Sequence, residues 1–347
     1  MKKSFLIQFS ILILLIIFAN LGLRSLESYD DDELGNAGGI RIDLTGSETV
    51  FESSPKDMSP REGGTLVLAE SAEPEHLNTY TSTSAAATRV LDYIYETLLD
   101  YDYETWRFDR PLLAESFTIS EDGYTFTFKI RENVYWHDGQ QLTADDVLFS
   151  IKAVLNPFVD CAPMRSSFSK VVSAHTNGQY EFVISSSETY FRNQEILGGF
   201  HIIPKHIWDP RGLLDRYSVE DLLNSTVTRE EAAIKEFADA FNTHPQGRPV
   251  GEDAEPIIGS GPWVFDKWIT GDYISYARND NYWNDDPTYI EGYSEDGAYL
   301  DKVIVKVITD ATARLTALKA GEIDFIPRMR AVQYFTQIGR ASCRERV

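Results

Sequence analysis

The 347-residue chain carries 54 acidic residues against 32 basic ones, a net charge of −22. So large an acidic excess argues against nucleic acid or an anionic membrane surface as a partner, and favours a soluble exported domain. The two cysteines, Cys161 and Cys343, give no structural disulfide to expect, because the second lies in an anomalous tail.

Residues 1–23 open with Lys2 and Lys3 and continue as a largely apolar run from Phe5. A basic start followed by an apolar stretch is the pattern of an export signal. Ala19 and Gly22 stand three positions apart, a poor cleavage pattern, and no cysteine follows for lipid attachment. The run is also long enough to span a bilayer, so a signal peptide and an N-terminal anchor both remain open. Either way the basic end stays inside, and the rest of the chain is expected to be periplasmic or otherwise extracytoplasmic. Residues 24–61, polar and rich in Ser, Asp and Glu without a period, read as a flexible acidic linker.

From Gly63 the pattern becomes that of a folded domain. Leu66 to Ala69 predicts a strand. Ala85 to Leu99 predicts a helix with Val90, Leu91, Ile94 and Leu98 inward. Glu121-Asp122-Gly123 is turn chemistry, and Phe126, Phe128 and Ile130 then alternate with Thr125, Thr127 and Lys129 as a half-buried strand requires. Val134 and Trp136 extend the apolar pattern up to an Asp138-Gly139 turn. Thr143 with Asp146 predicts a capped helix whose stripe is Val147, Leu148, Ile151, Val154 and Leu155, ended by Pro157. Asn177-Gly178 between Val171–Ala174 and Tyr180–Ile184 predicts a hairpin. Thr228 with Glu231 reads as a capping box opening a helix to about Phe241. Arg248 to Glu255 is loop, and a second hairpin is expected around Thr270-Gly271-Asp272. Val303 to Ile308 reads as a buried strand, followed by a helix capped by Asp310 and closed by Gly321.

No catalytic constellation emerges. There is no Gly-rich phosphate loop and no GxSxG nucleophile motif. His201 and His206 lack the thiol or carboxylate frame of a zinc site, Trp136 and His137 read as packing and turn residues, and Asp145-Asp146 sits where a helix N-terminus favours negative charge anyway. No metal, no cofactor and no enzymatic activity are expected.

The stretch from Leu113 to Ile151, with its "WHDG" and "LTADDV" runs, resembles the segment shared by bacterial extracellular solute-binding proteins of family 5, the dipeptide- and oligopeptide-binding components of ABC importers. Gly63-Gly64-Thr65-Leu66-Val67, Leu77-Asn78 and Tyr95-Glu96 resemble that family's opening elements. Ile203 to Trp208, Gly259 to Trp263, Arg278 to Trp283 and Ala320 to Asp324 resemble later ones. The resemblance implies an α/β, two-lobe, type II periplasmic-binding-protein-like fold with a subdomain inserted in the first lobe. On that map 62–110 and 256–299 are the first lobe, 111–255 the insertion and 300–337 the start of a second lobe that is largely missing. Residues 338–347, IGRASCRERV, break with the preceding composition and resemble translated sequencing-adapter sequence, so the native chain is expected to end near Gln337.

The resemblance further implies capture of a peptide in a closable cleft, as a monomer, for delivery to permease subunits in the membrane. Other cargoes on the same fold, such as a nickel complex or an oligosaccharide, remain alternatives, as does a tethered sensor. The corresponding ligand-pairing loop is Thr81, Ser82, Thr83, Ser84 and Ala85, which reads equally as a helix N-terminus capped by Ser82 or Ser84. The second candidate is Ser260 and Gly261, where glycine allows close backbone approach and the hydroxyl can donate; a plain connector is the competing reading.

Overall fold

The computed structural model describes residues 62–102, 105–284, 293–294 and 297–329. The export segment, the linker and the anomalous tail lie outside the described residues.

Thr65–Glu70 forms strand β1, and the Ser84 hydroxyl then caps helix α1 (Ala85–Leu91), accepting from the Ala86 amide at 3.2 Å. The helix expected to run to Leu99 stops here. Val90, Leu91, Ile94 and Leu98 are all buried, as the spacing predicts. Beyond Asp92, however, the backbone pairs with later chain: Ile94 O accepts from Gly261, Glu96 O from Ile202 and Leu98 O from Ala114. Those tertiary bonds replace the helical ladder.

A short antiparallel ribbon follows, β2 (Leu99–Asp102) with β3 (Arg107–Pro111). Next come β4 (Ala114–Ile119) and β5 (Thr125–Ile130), helix α2 (Ala144–Leu155) and helix α3 (Ala162–Ser167). Strands β6 (Val171–Thr176) and β7 (Glu181–Ser186) form the predicted hairpin, with Gly178 at φ +81°. These strands make an antiparallel sheet in the order β4-β5-β7-β6. Its inward face carries Phe126, Phe128 and Ile130, and Phe128 stacks across the strands on Phe182 at 6.3 Å. Helix α2 packs over β6 and β7.

Five short helices come next: α4 (Asn193–Gly198), α5 (Lys205–Trp208), α6 (Val219–Leu223), α7 (Ser225–Glu230) and α8 (Ala232–Asn242). Thr228, expected to open a helix, does not stand at a helix start. Thr228 lies inside α7, and Glu231 takes an extended backbone (φ −92°, ψ 102°) between α7 and α8 while its carboxylate accepts from the Tyr217 hydroxyl at 2.8 Å. Glu231 thus stands at the N-cap position of α8 without a side-chain cap bond.

Strands β8 (Trp263–Ile269) and β9 (Tyr273–Arg278) form the second hairpin, with Gly271 at φ +75°. Two-residue strands β10 (Tyr293–Ser294) and β11 (Gly297–Ala298) precede β12 (Lys302–Val307) and helix α9 (Ala311–Ala320). Asp310 caps α9, accepting from Ala313 at 2.8 Å, and Gly321 ends it at φ +74°. The second sheet has the order β1-β12-β9-β8, with β1 and β12 parallel and the other pairs antiparallel. Residues 302–307, expected at the start of a second lobe, form β12 between β1 and β9 in this sheet. One apolar core runs from Leu68 through both sheets to Val305.

Candidate ligand-binding site

The loop before α1 is shaped by Asn78. Its side chain is buried, its Oδ1 accepts from the amides of Tyr80 (3.1 Å) and Thr81 (3.3 Å), and its Nδ2 donates to Phe241 O (3.0 Å). Ser82 N donates to Asn78 O at 3.0 Å, and Ser84 N to Ser82 Oγ at 3.3 Å. After these bonds the amide of Thr83 and the carbonyls of Thr81, Ser82 and Thr83 have no intramolecular partner among the described residues. Thr83 and Ala85 are exposed, and Thr81, Ser82 and Ser84 are half-buried. A pinned segment with unsatisfied main-chain groups at the surface can pair with an extended chain. Ser84 serves as the helix cap, and that bond leaves these main-chain groups unpaired.

Ser260 and Gly261 occupy a different setting. Ser260 is fully buried, and a Cβ at Gly261 would meet Ile94 O and Tyr93 O at 2.8 Å. At Gly259 the same atom would lie 2.1 Å from Ile94 O. The glycines therefore allow the connector to press against residues 93–94. A ligand contact through the Ser260 hydroxyl is not supported by this placement, since that group lies inside, next to the Glu96 carboxylate.

His137 clamps the same connector. Its Nδ1 accepts from Gly259 N–H (3.2 Å), its Nε2 lies 3.0 Å from Gly261 O, and its own amide donates to Gly259 O at 2.8 Å. An Nδ1 acceptor leaves Nε2 as the donor, which is the neutral tautomer. Burial lowers the imidazole pKa in accord with that state.

Glu96 and Asp92 are functional candidates that pattern reasoning passed over. Glu96 is buried and accepts from the Tyr282 hydroxyl at 2.7 Å and from Trp283 Nε1 at 3.0 Å, while the Arg131 guanidinium sits 5.0 Å from the Trp283 ring. Burial pushes its carboxyl up to about 7 against those hydrogen bonds. Asp92 Oδ1 lies 3.2 Å from His201 Nε2, and Thr79 Oγ1 lies 2.6 Å from His201 Nδ1. No sequence motif marks these partners, which are separated by more than a hundred residues. His206 pairs instead with Asp138 at 2.6 Å, well apart in sequence from His201's partners.

Residues 110–342 match the family described as bacterial extracellular solute-binding proteins, family 5 Middle. The chain belongs to this family. The oligopeptide-binding protein AppA of Bacillus subtilis (strain 168) is 30% identical over 285 residues, covering 81% of this chain and 44% of AppA. The structure of AppA in complex with a nonapeptide superposes with a TM-score of 0.59 at 29% identity, covering 80% of this chain and 46% of that one. The dipeptide-binding protein of Escherichia coli (strain K12) is 26% identical over 284 residues, 76% of this chain and 44% of its own length. The α/β fold is thus that of the type II periplasmic binding proteins, with a second lobe that has little counterpart here. The chain spans less than half the length of these relatives. Among the described residues, no helix is long and apolar enough to cross a membrane.

Proposed function

We propose that this chain supplies the first lobe, with its inserted subdomain, of a substrate-binding protein that captures peptides outside the cytoplasmic membrane and hands them to the permease of an ABC importer. It carries out no chemistry and acts as a monomer. The observation that carries this reading is the segment Thr81–Ala85, held by Asn78 with its main-chain groups left over for a partner. An extended peptide brings a donor and an acceptor per residue, and pairing them with main chain gives affinity without reading side chains. The relatives named as oligopeptide- and dipeptide-binding proteins support the same cargo. Residues 1–23 then serve export or anchoring, and the second lobe begins after β12. Ser260 and Gly261 act from behind, fixing the turn that follows α1.

Calorimetric titration of the complete protein with tri- to pentapeptides tests this. The expected affinity is micromolar or tighter, about −8 kcal/mol or better. Peptides N-methylated at the amides that pair with residues 81–83 should bind about tenfold more weakly. Equal affinity for the full N-methylated series, or no peptide binding at all, would count against the proposal.

A further inference from the structure

Beside the Thr81–Ala85 loop lies a cavity of about 330 Å³, with Ser82 and Thr79 on one wall. Leu91, Met164, Phe168 and Phe200 give it an apolar lining, and the Asp92–His201 pair faces into it. Side chains of an extended peptide project alternately to either side of the backbone, so one laid along residues 81–83 directs a side chain here.

The charge in this cavity is unbalanced. Glu195, on its rim, is held by Arg192 through two bonds of 2.8 and 2.7 Å. Arg89, on the same helix as the cavity wall, is engaged by Glu70 at 2.8 Å. Asp92 has neither a lysine nor an arginine partner among the described residues, and its side chain is 57% exposed. Among the described residues its one ion-pair neighbour is His201, whose Nε2 lies 3.2 Å away and whose Nδ1 lies 2.6 Å from Thr79 Oγ1. Asp92 is also the C-cap residue of α1. A carboxylate beside helix carbonyl ends is unfavourable to the fold, and such a local conflict is expected where a residue serves function.

We propose that this cavity is a subsite for a lysine or arginine side chain of the bound peptide, its stem against Phe168, Phe200, Met164 and Leu91 and its charge on Asp92. The apolar wall suits the methylene stem, and the exposed carboxylate suits the cationic end. The inference rests on the peptide-binding reading above, and it adds a side-chain preference to it.

The test uses the complete protein and a set of alanine pentapeptides in which each position in turn is lysine, norleucine or glutamate. At one position lysine should bind about tenfold or more tightly than norleucine, with glutamate weakest. Asp92→Asn should bring the lysine-to-norleucine ratio close to one while leaving norleucine affinity intact, which also shows that the variant folds. Glu121→Gln, a change of the same charge at a remote exposed turn, should keep the wild-type ratio. A preference that survives Asp92→Asn, or that Glu121→Gln removes equally, overturns the subsite. Peptides that all bind alike overturn the subsite and leave the peptide reading standing; failure of every peptide to bind overturns both.

Discussion

Glu96 shows how one side chain couples segments far apart in the chain. Its carboxylate receives Tyr282 and Trp283 from a segment 186 and 187 residues downstream. Its pKa rises from 4.5 to about 7 because burial disfavours the charged form. The folded protein therefore holds this proton more tightly than the unfolded chain. The contribution is full below about pH 4.5 and is lost as pH rises toward 7, about 3 kcal/mol in all. Glu96→Gln should flatten that part of the stability–pH curve, read by denaturant unfolding at pH 5 and pH 8. An unchanged difference between the two pH values would remove Glu96 from the account. The glycines allow a second residue-scale contrast. Gly259→Ala should cost about 1–3 kcal/mol through the clash with Ile94 O, whereas Gly271→Ala, uncrowded at φ +75°, should cost about 1 kcal/mol. Thermal melts of the two variants separate crowding from backbone conformation.

At the scale of elements, local chemistry was legible wherever it alone decides. Asn177-Gly178 and Thr270-Gly271-Asp272 mark hairpins, Phe126-Phe128-Ile130 marks the buried face of β5, and Asp310 and Gly321 bound α9. Reading failed where distant chain competes. Residues 93–98 leave the helix because Gly261, Ile202 and Ala114 claim their carbonyls, and Glu231 accepts from Tyr217 at the start of α8. Of the candidate site, the loop Thr81–Ala85 was visible as a run of small hydroxyl residues, but the Asn78 bonds that hold it and the Asp92–His201 pair were not. The burial of Ser260 was not visible either, because sequence does not show on which side of a glycine connector a hydroxyl lies. The start of α2 illustrates a cap with a second duty: Asp146 accepts from Thr143 N at 2.9 Å and from Lys205 N at 3.0 Å, tying α2 to α5. Asp146→Ala leaves two amides short of a partner and should cost about 2–4 kcal/mol, measured by equilibrium unfolding. A loss below about 0.5 kcal/mol would mean that water replaces the carboxylate.

For the molecule as a whole, the two four-stranded sheets share one core, and His137 clamps the glycine connector before β8. His137→Ala should cost about 1–3 kcal/mol by stranding Gly259 N–H, while Gly261 O keeps the bond from Asn279 Nδ2 at 3.0 Å, and melting curves should show it. With burial lowering the His137 pKa, its contribution is present above the unfolded value of 6.5 and is lost as pH falls below it, opposite in sign to that of Glu96. The most direct check is native mass spectrometry of the complete protein after prolonged incubation with a pentapeptide. A one-to-one complex that releases the peptide at its full mass is the predicted result. Peptide fragments, which would turn attention to the hydroxyl–imidazole–carboxylate chain of Thr79, His201 and Asp92, or the lack of any complex, would contradict the claim that this protein holds a solute without transforming it.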